Sequence, residues 1–256
     1  MSIWTSRTLL GCFFRSYMVS AASNADGLQN VGFLYAIEPA LATLYKDGKG
    51  LAEARMRYAR RYNSHPFFTP MLLGIFLRLE ADIAAGRMSP AVLLSVKDTT
   101  ANALSALGDS FFNGTLLATW ALLSCCLLLA DSPGMAFAFT AVCFVSLQLF
   151  KFVSFFMGLS KGLSVLAFLR KLDLINWGDH FKFCNAALLG CFLWLCTPDA
   201  PVLVFGGVAL YLVLAGWIIG KLHFPRICVA LFLLACAVAL HFSGWFGHIP
   251  TLLFSI

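Results

Sequence analysis

"ALGDSFFNGTLLATWALLSCC" runs from Ala106 to Cys126. Its first half is small and polar, with Gly108, Asp109, Ser110, Asn113, Gly114 and Thr115. Its second half is almost wholly apolar. A soluble loop accounts for the first half and a membrane helix for the second. Neither accounts for Asp109 at the threshold, and an ionisable group beside a span is a functional candidate by default. Non-helical backbone at membrane depth persists only where protein buries it or water lines it. The stretch is therefore expected to form a turn, bent at Gly108 and Gly114. Its tip would border a polar pathway through Asp109, Asn113 and Thr115. The competing reading is an ordinary helix start at the headgroups, with Asp109 in water.

The whole composition supports a bilayer. Hydrophobic residues make up 60% of the 256 and charged residues only 12%, too little charge for the water-facing shell of a soluble domain this size. The expected class is an all-α integral membrane protein. It has an amphipathic and re-entrant helical region over 1–114 and a transmembrane region over 115–256. Eleven of the eighteen Lys and Arg precede residue 100, densest in Glu53–Tyr62. Basic segments beside spans stay cytoplasmic and meet anionic lipid. No nucleic-acid module accompanies them.

In the first region, Leu28, Val31, Leu34 and Tyr35 repeat at helical spacing, and Pro39 predicts a break near Ala36–Pro39. Lys46–Gly50 reads as a turn, and Leu51–Tyr62 as a basic helix supported by Glu53 and Arg57 at i, i+4. Asn63–Pro66 ends it. A further helix starts at Pro70 and stops at Gly86, and another has Ser89 as its cap and Pro90 in its first turn. Arg78, Glu80 and Asp82 argue against a lipid-exposed span for the first of these. The N-terminal apolar run, broken by Arg15, reads as an interfacial amphipathic helix.

About five spans follow, near 115–130, 135–156, 183–197, 201–219 and 227–243, with Trp245 as an interfacial anchor. Lys161, Arg170 and Lys171 follow the second span, and Lys221 and Arg226 follow the fourth; the other two loops carry no Lys or Arg. Basic loops belong inside, so the N-terminus of this multi-pass protein is expected in the cytoplasm.

Catalytic patterns are weak. The nine Cys contain no C-x-x-C pair, so no zinc or redox site is expected, and no cofactor. The five His are scattered, and only His180 follows a carboxylate, Asp179. No Walker pattern occurs. Gly158 and Gly162 in "GLSKG" have the spacing that lets helices approach closely. "NSHPFFTP" reads either as a packed corner, with Asn63, His65 and Pro66 meeting another subunit, or as a solvated helix stop.

Four blocks in order resemble the IID membrane component of the mannose/fructose/sorbose-type phosphoenolpyruvate-dependent sugar phosphotransferase system. They are "FFRSYMVSAASNADGLQNVGFLYAIEPALATLY", "RRYNSHPFFTPMLLGIFLRLE", "LGDSFFNGT" and "GLSKGLSVL". Ser110 stands where the family usually has Pro, and Asn113 where it usually has Trp. A Pro would stiffen a turn and a Trp would fill space or stack on a sugar.

The resemblance implies a hetero-oligomer with a IIC subunit that holds most of the sugar-contacting surface. Cytosolic IIA and IIB proteins would relay phosphate to the arriving sugar, and this chain would carry no phosphohistidine. In that setting Asn63, His65 and Pro66 would anchor the cytosolic corner. Arg57, Arg60 and Arg61 would face headgroups or IIB. A membrane scaffold derived from such a subunit, and a stand-alone small-solute permease, are the alternatives from other classes.

Overall fold

The computed structural model describes residues 3–196 together with 206, 207 and 210. The expected spans at 201–219 and 227–243, with Lys221, Arg226 and Trp245, lie outside the described residues. Among those described, all regular structure is helical apart from two isolated bridges, Asn24 with Leu28 and Leu28 with Tyr62.

Helix α1 (Ser6–Arg15) is capped by Thr5, whose hydroxyl accepts from the Thr8 amide at 3.2 Å. A 3-10 segment, Ser16–Ala22, leads to α2 (Asn30–Leu44). The break expected near Ala36–Pro39 does not occur, and α2 runs through Pro39. Proline lacks the N–H that would bond the Tyr35 carbonyl. Arg15 Nη1 donates to that carbonyl at 3.3 Å, with its guanidinium 4.5 Å over the Tyr35 ring. The Trp4 indole donates to the Ala40 carbonyl at 3.0 Å on the same helix. Partners distant in sequence thus supply what the proline removes.

Helix α3 (Gly48–Ala59) starts earlier than expected because Asp47 caps it, accepting from the Gly50 amide at 2.6 Å. Helix α4 (Thr69–Ala84) has Pro70 in its first turn and ends before Gly86 at φ +70°, as its sequence predicts. Residues Leu72 to Leu77 of α4 are fully buried in protein, which agrees with the argument against a lipid-exposed span there.

The expected pairing of Glu53 with Arg57 and the outward role for Arg57 are both overturned. Arg57 is 7% exposed and grips the fully buried Glu80 of α4, with Nε to Oε1 at 3.0 Å and Nη2 to Oε2 at 2.6 Å. The Tyr45 hydroxyl donates to the same carboxylate at 2.7 Å. Burial opposes the charge on Arg57, but the Glu80 bonds and charge outweigh it and hold its pKa above the ordinary value. A carboxylate sealed in the core needs this cation, whereas the exposed Glu53 is solvated without it. Arg60 and Arg61 are exposed.

Helix α5 (Pro90–Gly108), capped by Ser89, passes without interruption into a π-helical segment (Asp109–Leu116) and then α6 (Leu117–Leu129). Pro90–Leu129 is one 40-residue run, and α7 (Pro133–Lys161) has 29 residues. Both are long and apolar enough to cross a bilayer, and only 17% and 11% of their most apolar windows are covered by protein. The spans expected at 115–130 and 135–156 fall within these two runs. Helix α8 (Ser164–Lys171) ends in Arg170 and Lys171, and α9 (Leu174–Cys196) extends the expected third span toward its N-terminus.

Helix α4 lies directly against α7. A Cβ on Gly74 would run into the Phe155 carbonyl, and one on Gly158 into the Met71 carbonyl. Gly158 is thus a close-approach glycine. Gly162 at φ +55° ends α7 in a backbone conformation that favours glycine. The N-terminal helices pack around the C-terminal half of α7. Its N-terminal half leaves Phe137, Val142, Phe144 and Val145 exposed.

Candidate functional site

The blocks singled out in the sequence meet at one junction. Helix α3 ends where Asn30 Nδ2 donates to the Ala59 carbonyl at 2.7 Å, satisfying an orphan helix-end acceptor. The neighbouring Gln29 amide N–H donates to the Tyr62 carbonyl at 2.8 Å, and its Oε1 accepts from the Ser64 amide at 3.1 Å. Leu28 sits at φ 56° to allow this hairpin-like contact. The "LQN" and "NSHP" stretches are therefore bonded to each other.

His65 comes next. It is 3% exposed, with its ring stacked on Phe112 at 5.4 Å and 15°, and edge-on to Phe67 at 4.9 Å. Its carbonyl accepts from the Phe68 and Thr69 amides at 2.9 and 3.0 Å, starting α4. The Phe67 amide donates to Nδ1 at 3.3 Å, which places the neutral ring's proton on Nε2. Burial lowers the imidazole pKa from 6.5 and the nearby Lys151 adds to the effect; Asn113 and Asp109 oppose it in part. His65 is thus an interior residue. Its ring is packed on Phe112 and Phe67 within this chain, where a surface toward another subunit or IIB was expected. Asn63 is half-buried and Pro66 exposed.

The stretch Gly108–Thr115 is not a re-entrant turn. Gly108 has helical φ −64° and ψ −45°, and the backbone pairing widens so that the Leu117 amide donates to the Phe112 carbonyl, five residues back. With Ser110 in place of a proline, every residue here keeps an N–H for the helix. Gly108 and Gly114 therefore bend nothing. A Cβ on Gly108 would overlap the His65 ring, so glycine here permits contact rather than curvature.

Two side chains meet at the Thr115 carbonyl. Asn185 Nδ2 of α9 donates to it at 3.0 Å, and the Thr119 hydroxyl shares its one proton between that carbonyl at 3.1 Å and Asn185 Oδ1 at 2.7 Å. Thr115 is fully buried, with its own hydroxyl donating to the Phe111 carbonyl. The expected exposure of Thr115 to a pathway is overturned, because α9 covers it. Asp109 and Asn113 remain exposed, one helical turn apart, with Asn113 Nδ2 donating to Asp109 Oδ1 at 3.2 Å. Asp109 thus holds Asn113.

Three participants escaped the sequence reading. Phe112 links the junction by packing on His65, Phe67, Phe68 and Phe150. Asn185 was hidden in an apolar run. Lys151 lies 8% exposed on α7, with its ammonium 5.0 Å from the Phe67 ring. A lone charge inside a long apolar helix was the available signal. "GLSKG" also has the G-x-S-x-G spacing, but Ser160 lies within α7 and donates to the Met157 carbonyl at 3.2 Å, so it forms no strand-to-helix elbow. Among the described residues, no group of three or more His, Cys, Asp or Glu could hold a metal ion.

The profile of the PTS system mannose/fructose/sorbose family IID component matches residues 4–192. The chain is 26% identical over 113 residues to the fructose permease IID component of Bacillus subtilis (strain 168), covering 44% of this chain and 41% of that protein. It is 30% identical over 124 residues to the mannose-specific EIID component of Escherichia coli (strain K12), covering 46% and 43%. The match thus spans less than half the length of these curated relatives. Two solved structures share the fold. One is described as a membrane protein, with a TM-score of 0.73, 18% identity and coverage of 94% and 97%. The other is the mannose transporter ManYZ in complex with microcin E492, with a TM-score of 0.52, 19% identity and the same coverage.

Proposed function

Because the chain belongs to the mannose/fructose/sorbose family of PTS IID components, we propose that it is the IID membrane subunit of a sugar transporter. It works with a IIC subunit to translocate a sugar of the mannose, fructose or sorbose class, which IIB phosphorylates as it arrives. The carrying observation is that the blocks around Gln29, His65 and Gly108 lock into one junction beside α7. A scaffold of this kind is what a supporting subunit needs, and it requires no catalytic group of its own. Direct catalysis belongs to the phosphocarrier partners.

In this reading the protein sits in the bacterial cytoplasmic membrane as a multi-pass chain with its N-terminus inside. Residues 1–114 form the amphipathic and re-entrant helical region and 115–256 the transmembrane region. Asp109 and Asn113, exposed on the π segment, face the sugar pathway or its IIC wall. Arg60, Arg61, Asn63 and Pro66 present the surface toward headgroups or IIB. Asp109→Ala should abolish sugar uptake, while Ser132→Ala, on the turn before α7, should not. Normal uptake and normal IIC assembly with Asp109→Ala would refute the assigned role.

Ser110 and Asn113 favour one second reading, a membrane scaffold that assembles with IIC without supporting transport. Sugar-dependent consumption of phosphoenolpyruvate by the reconstituted set separates the two.

A further inference from the structure

Three cations are buried among the described residues: Arg57, Lys97 and Lys151. Arg57 is paired with Glu80 and Lys97 with Asp98. Lys151 has no carboxylate within ion-pair distance among the described residues, and only aromatic faces hold its ammonium, Tyr17 at 4.4 Å and Phe67 at 5.0 Å. Beyond residue 196 the sequence offers a single acidic side chain, Asp199. A buried cation in an apolar span calls for an anion, because the rings offset only part of its lost hydration.

We propose that Lys151 is the anchor for a carboxylate side chain on a membrane helix of the IIC partner, an inference that rests on the IID reading. Two features point to a protein partner. Lys151 lies ten residues before Lys161, where α7 ends, or about 15 Å along the helix. A lysine stem is much shorter than that, so a headgroup at the Lys161 end does not reach the ammonium. The cage also opens onto an apolar patch. Phe14, Tyr17, Met18 and Phe152 are all exposed, and Phe13 joins them by packing on Phe14, Tyr17 and Phe152 at 5.4, 5.6 and 5.4 Å. An apolar, aromatic rim around a buried charge has the anatomy of an interface anchor. Tyr17 is fixed for this role by donating to Gln148 Oε1 at 2.6 Å, one turn before Lys151 on α7.

The test uses membranes holding the full chain and a tagged IIC subunit. They are treated with dicyclohexylcarbodiimide, which enters the bilayer and activates a carboxyl group. An adjacent amine then displaces it as the urea, leaving an amide. The expected products are a Lys151 amide to an Asp or Glu of IIC in the digest, and at least a tenfold fall in IIC recovered with Lys151→Met. Lys151→Arg should keep most of the complex, and it decides the matter together with the wild-type amide where the Met variant does not fold. An amide to Asp199 or to phosphatidylserine, no amide at Lys151, or undiminished IIC recovery with a folded Lys151→Met overturns the ion pair and leaves the IID reading intact. A wild-type chain that retains no IIC overturns both.

Discussion

Replacing Glu80 with alanine tests whether Arg57 is a structural residue or a docking one. Glu80 is fully buried, and Arg57 is 7% exposed with two bonds to it. Removing the carboxylate strands a buried guanidinium and takes the Tyr45 hydroxyl's acceptor with it. Breaking a buried pair from one side costs about 3–5 kcal/mol. For a chain of this size each kcal/mol moves the unfolding midpoint by about 2–4 °C, so the loss is on the order of 6–20 °C. The double change Arg57→Met with Glu80→Met removes both charges and keeps volume. It should recover most of that loss, because replacing a buried pair with apolar groups is often close to neutral. Thermal unfolding of the purified chain in detergent reads both variants. If Glu80→Ala unfolds with the wild type, or the double variant is as unstable as the single one, the buried-pair account fails. Arg57 then returns to the pool of candidate IIB contacts.

Gly108→Val should drive a side chain into the His65 ring and lower the yield of folded protein, while Gly134→Val, where a Cβ meets nothing within 4 Å, should be tolerated. Asn185→Leu leaves the Thr115 carbonyl without its amide donor inside α6–α9 packing; a loss of about 1–3 kcal/mol is expected in denaturant unfolding. The lowered pKa of His65 sets a pH dependence. Its folded form binds fewer protons than the unfolded chain, so this contribution is fully present above the ordinary value of 6.5 and lost as pH falls below it toward the folded value. His65→Phe should flatten the acid limb of the stability profile, and an unchanged limb would place the titration elsewhere.

Local chemistry in this chain was legible, and contacts across sequence distance were not. Ser89 with Pro90, Pro70 and Gly86 act within a few residues of themselves, and the helix ends they mark stand where their chemistry puts them. Pro39 misled because the group that satisfies the Tyr35 carbonyl, Arg15, lies 20 residues earlier. Arg57 misled for the same reason, since a nearby Glu53 suited a surface helix and the true partner stood 23 residues on. The site divided along the same line. Asp109 and Asn113 interact locally, one turn apart, whereas the burial of His65 and Thr115 depends on Phe112 and α9. The π segment has no single-residue signature. Ser110 leaves the helix free to continue, and α9 adds an amide donor at the Thr115 carbonyl.

That wider turn also sets a phase. Each residue of an ordinary α-helix advances the side-chain direction by about 100°. Dropping one residue between Asp109 and Leu116 would relax the segment to regular pairing and rotate everything after it by that angle. Thr119 would swing off Asn185 of α9, and the Trp120 indole N–H off the Thr140 hydroxyl of α7. One extra peptide unit therefore acts as an angular offset between the His65 junction and the membrane helices, aligning both ends of a 40-residue rod with different neighbours at once.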